Sequence, residues 1–129
     1  MDPTGRGAAG VGPVEAMNDA DRRPSPDGKF TIEIAAWEAR MSHWIETPRL
    51  VDASGGVVFA FVSSSWSLDS ATWTSANVVQ LLLRKYPGNH TPVDITCEID
   101  CLARTATIAG TAVPIAELER RLDALLQWR

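Results

Sequence analysis

Apolar and polar residues alternate with the period of a half-buried strand in several separate stretches, each bounded by turn-forming residues. In Lys29-Phe30-Thr31-Ile32-Glu33-Ile34, the side chains of Phe30, Ile32 and Ile34 fall on one face. The Ser25-Pro26-Asp27-Gly28 segment before it is turn chemistry: proline fixes φ, aspartate caps the turn and glycine accepts a positive φ. Arg49-Leu50-Val51 and Val57–Val62 flank Asp52-Ala53-Ser54-Gly55-Gly56, which predicts a hairpin with a short glycine-containing loop. Ser63 to Ser70 reads as a small-residue connector, and Ala71-Thr72-Trp73 as a short edge strand. Val78 to Leu83 is the most apolar run and predicts a central buried strand that ends in the polar loop Arg84 to Pro92. Val93 to Ile99 alternates cleanly, with Val93, Ile95, Cys97 and Ile99 inward, and Thr105 to Ala109 returns after a turn over Asp100 to Arg104.

The period then changes. Pro114 suits a first helical position, and Ile115, Leu118, Leu122, Leu125 and Leu126 trace one face of a helix over 114–128. That face predicts packing on the open side of the sheet, with a partner or dimer helix as the alternative. Shifting the chain by 49 residues lays Phe30, Ile32 and Ile34 over Val79, Leu81 and Leu83, and shifting it by 48 lays Asp52 over Asp100. The expected architecture is therefore mainly β: an antiparallel sheet or sandwich of two β-meander repeats, about 25–62 and 74–109, with one C-terminal amphipathic helix. Residues 25–129 form one domain of roughly six or seven strands. Residues 1–24, rich in glycine and proline and poor in large apolar side chains, read as a disordered leader.

The Ser25-Pro26-Asp27-Gly28-Lys29-Phe30 turn, its alternating strand, and Leu50-Val51-Asp52 before Gly55-Gly56 resemble a blade of TolB-type or WD40-like β-propellers. Trp73-Thr74-Ser75-Ala76-Asn77-Val78-Val79 resembles a degenerate copy of the same turn. The resemblance implies antiparallel meanders. Two units are fewer than the four blades a propeller needs, and no functional residue carries over.

Composition narrows the function classes. A net charge of −4 and a pI near 5.1 argue against phosphate-driven nucleic-acid binding. No apolar run reaches the roughly 20 residues of a membrane span, and the first residues lack a secretory pattern. Two cysteines, Cys97 and Cys101, are too few for a disulfide scaffold, so a cytoplasmic protein with reduced thiols is expected.

The candidate site comes from the two long polar segments, Glu38 to Arg49 and Arg84 to Pro92, which follow equivalent strands of the repeat. They hold both histidines, Trp44, Tyr86 and four of the six basic residues between Ser25 and Ala112, but only two of that span's nine acids. If they share one end of the sheet, Arg40, His43, Trp44, Arg84, Lys85, Tyr86 and His90 form a basic, aromatic surface of the composition found at binding hot spots. The competing reading makes Trp37 and Trp44 core filler and pairs Arg40 with Glu38 or Glu46. The leading function is non-enzymatic binding of an acidic protein or a small anionic ligand, with homodimerisation as a further possibility. The alternative is a small hydrolase-type enzyme with His43 or His90 as general base. No catalytic residue is assigned, and neither a metal nor a cofactor is expected: the histidines lack ligand spacing, and Cys97 and Cys101 lack a second pair.

Overall fold

The computed structural model describes residues 21–40 and 43–128, apart from the side chains of Arg40 and His43. The chain is mainly β. Among the described residues the strands are β1 (Arg22–Pro24), β2 (Phe30–Arg40), β3 (His43–Asp52), β4 (Val57–Ala60), β5 (Trp66–Trp73), β6 (Val78–Lys85), β7 (His90–Thr91), β8 (Ile95–Asp100), β9 (Thr105–Ile108), β10 (Thr111–Pro114) and β11 (Gln127–Trp128), with one α-helix, α1 (Leu118–Leu125). A four-stranded sheet runs β1-β2-β3-β4 and a five-stranded one β10-β9-β8-β6-β5, while β11 pairs β7. Every pairing is antiparallel.

The alternating stretches become the core. Ile32, Ile34 and Leu50 from the first sheet meet Val79, Leu81, Leu83, Ile95, Cys97 and Ile99 from the second in one buried cluster. The predicted turn before β2 forms: Gly28 N–H donates to the Ser25 carbonyl at 2.9 Å, and Gly28 takes φ +74°.

Four expectations are corrected. The leader of residues 1–24 lies outside the described residues up to residue 20, but Arg22–Pro24 is not leader: it pairs with β2 at Thr31 to Glu33. The segment Glu38 to Arg49 is not a loop. β2 and β3 continue as a hairpin whose tip carries exposed Glu38, Trp44 and Glu46, so no apolar alternation marks it. Pro48 is tolerated there because the β3–β4 ladder stops at Arg49, beyond its missing N–H.

The connector Ser63 to Ser70 is largely strand. β5 starts at Trp66, but its register shifts between Leu68 and Ser70, so the inward positions run Trp66, Leu68, then Ala71 and Trp73. That bulge breaks the period on which the strand would be recognised.

The helix is shorter than 114–128. Pro114 ends β10, Ile115–Glu117 form a 3-10 turn, and Leu126 is already extended at ψ 135°. Trp128 leaves the helix to put its ring edge-on to His90, 4.8 Å between centroids. Leu118 and Leu122 are fully buried; each contributes on the order of 2 kcal/mol by burial. The Glu117 pairs with Arg120 and Arg121 add a few tenths each. Packing, not surface charge, holds the helix. Its Glu119 carboxylate also accepts the N–H groups of Val62 and Ser63 at 2.7 and 3.0 Å, fastening the β4–β5 connection.

Candidate functional site

The start of β3 lies against the start of β5. Glu46 N–H donates to Ser67 Oγ at 3.0 Å, and Thr47 Oγ1 donates to the Ser64 carbonyl at 3.2 Å. In the β5–β6 ladder Ser67 stands opposite Arg84 and Trp66 opposite Lys85, and Tyr86 N–H donates to the Ser65 carbonyl at 2.8 Å. The two stretches singled out in the sequence are thereby brought together. A cavity of about 120 Å³ is lined by Trp44, Ile45 and Ser67 on one side and by Arg84 to Gly88 on the other.

The lining residues differ in what they can offer. Trp44 is the most open, with 59% of its surface exposed. Arg84 binds the Asp69 carboxylate through Nε at 3.2 Å, with about half of its side chain exposed. Lys85 is turned inward: its Nζ reaches Asp123 of α1 at 2.7 Å and lies 5.6 Å from the centre of the buried Trp66 ring. Tyr86 is half-buried and leads into a cis peptide bond at Pro87. The expected basic surface is thus largely neutralised in place: Asp69 and Asp123 answer Arg84 and Lys85, and Glu33 answers Arg49 on β3.

His90 does not reach the surface. Its ring is fully buried, with Nδ1 2.7 Å from the Pro92 carbonyl oxygen and Nε2 2.9 Å from that of Lys85. It pins the two ends of the 85–92 segment, and a ring so enclosed meets no ligand. Arg40 and His43 pair across the tip of the β2–β3 hairpin, but their side chains lie outside the described residues.

Among the described residues no group of three or more His, Cys, Asp or Glu side chains is placed to hold a metal ion. Burial pushes the Cys97 thiol up to about 12 and the Cys101 thiol up to about 11, so both stay protonated at neutral pH. Sequence reasoning missed Ile45, Ser67 and Asp69. Ile45 and Ser67 sit in stretches that looked like loops, and Asp69 occupies the bulge; the one-residue slip from Trp66 and Leu68 to Ala71 and Trp73 was the available signal. No described helix is long and apolar enough to cross a membrane. Comparison of the chain with protein-family models, curated proteins and solved structures finds no match.

Proposed function

We propose that this chain is a non-enzymatic binding protein whose cavity beside Trp44 receives an anchoring side chain of a protein partner. The size of the cavity carries the reading. Pockets that enclose a small molecule run to roughly 300–1,000 Å³, whereas about 120 Å³ holds a few heavy atoms. An exposed tryptophan at the rim, with tyrosine and arginine beside it, has the composition of an interface hot spot. A small anionic ligand fits less well, because Lys85 is already committed to Asp123.

The hydrolase alternative loses His90 as a base, since both its ring nitrogens face backbone oxygens in the interior. Two buried free thiols suit a reducing compartment, which supports a cytoplasmic setting. Affinity capture from the source cell tests the reading. A partner retained by the native chain and lost with Trp44→Ala and Tyr86→Ala, both variants remaining folded, is the expected result. A partner retained equally by both variants places the site elsewhere.

A further inference from the structure

The proposed partner site contains a guanidinium with unused donors. Asp69 sits at the β5 bulge, where the register shifts and the side chain is freed from the regular alternation. Its carboxylate forms an ion pair with Arg84, lying 3.2 Å from Nε. An arginine carries five N–H donors in a rigid fork; among the described residues none hydrogen-bonds the Nη1 or Nη2 group of Arg84. A guanidinium with a carboxylate on its Nε side keeps its Nη1–Nη2 edge, which matches the two oxygens of a second carboxylate.

The surroundings decide how much negative charge the partner brings. Asp69 and Asp123 already pair with the cavity-lining Arg84 and Lys85, and the chain carries a net charge of −4. A run of acids would meet repulsion within the roughly 8 Å over which charges act at physiological salt. One carboxylate is matched; several are not. Beside it, the exposed Trp44 ring offers apolar surface.

Resting on the partner-binding reading above, we infer that Arg84, aimed by Asp69 as a positioning residue, grips a single aspartate or glutamate side chain in a peptide segment of the partner, with an apolar neighbour of that residue lying on Trp44.

The test is selection of short random peptides displayed against the folded full chain, followed by affinity measurements on the enriched sequences. Enrichment of one Asp or Glu next to an aromatic or aliphatic residue is expected. Arg84→Gln should weaken such peptides by about ten- to a hundredfold, and Arg84→Lys should not restore them, because an ammonium lacks the fork. Asp69→Asn should cost less than Arg84→Gln. Changing the peptide's Glu to Gln should make the native chain and Arg84→Gln bind alike, a coupling that a merely structural role would not produce. Circular dichroism shows that each variant is folded, and the peptide-side change requires no refolding at all. Peptides lost with Trp44→Ala yet indifferent to Arg84→Gln, or Glu-to-Gln peptides for which the two proteins still differ as before, would overturn this inference and leave the partner site standing. If no peptide is enriched, or none is weakened by Trp44→Ala, both fall.

Discussion

Asp52 and Asp100 each end a strand with a carboxylate oxygen that accepts N–H groups of the reversal that follows. At Asp52 the donors are the Ser54 hydroxyl and the N–H groups of Gly56 and Ser54. At Asp100 they are the N–H groups of Ala103 and Leu102 and the side-chain amide of Asn77. For Asp100 the Ala103 hydrogen bond leads in holding the carboxyl below its ordinary value, against the opposing effect of burial. A folded-state value below the unfolded one means that stabilisation is present above about pH 4 and is lost as pH falls through the folded value. Asp100→Asn should therefore destabilise the chain near neutrality, by no more than about 1 kcal/mol because solvent screens the carboxylate and the amide oxygen can still accept. Its gap from the native chain should narrow on acidification, as read by urea unfolding at several pH values. His90 is the other residue whose work is structural. His90→Ala leaves the Lys85 and Pro92 oxygens without the ring and opens a void against Trp128, so a loss of about 2–4 kcal/mol is expected. A change within a few tenths would show that the ring is dispensable.

At the level of elements, the strands with unbroken alternation were legible: β2 at Ile32 and Ile34, β6 at Val79, Leu81 and Leu83, and β8 at Ile95, Cys97 and Ile99 bury the faces their sequence predicts, although β8 starts only at Ile95 and Val93, expected inward, stays exposed. What hid the others was physical. The tip of the β2–β3 hairpin runs past the core and keeps polar residues on both strands, while the β5 bulge slips its period. The helix was read too far because Leu125 continues the apolar stripe, although it remains exposed. Half of the candidate site, Trp44 with Arg84 to Tyr86, was legible from composition. Its neutralising acids, Asp69 and Asp123, were not, since no local spacing links them to Arg84 and Lys85. The β9–β10 hairpin went unread for a similar reason. Its two-residue turn, Ala109-Gly110, holds both residues at positive φ, 50° and 83°. Asparagine is favoured over alanine at the first of these positions, where a left-handed conformation costs an ordinary side chain about 1–2 kcal/mol. Ala109→Asn should accordingly raise the stability by up to about 1 kcal/mol, visible as a higher urea midpoint with an unchanged slope.

For the molecule as a whole, one buried cluster joins both sheets and α1, and Cys97 and Cys101 both lie within it. Thiol reagents at neutral pH should leave the native chain unmodified, with labelling that accelerates in step with global unfolding as urea is added. Rapid labelling without denaturant would reveal a local opening around β8. The outer rim of the four-stranded sheet governs a different property. β1 is an edge strand, yet its Arg23 carbonyl already accepts the Trp73 indole N–H at 2.9 Å, and Pro24 has no N–H to give. A strand from a second copy finds no continuous ladder there to extend, which is how edges are kept from templating aggregation. Removing both obstacles with Trp73→Phe and Pro24→Ala should leave the fold in place while light scattering grows with protein concentration. A cross-strand contact of one indole thus bears on how crowded a solution the chain withstands.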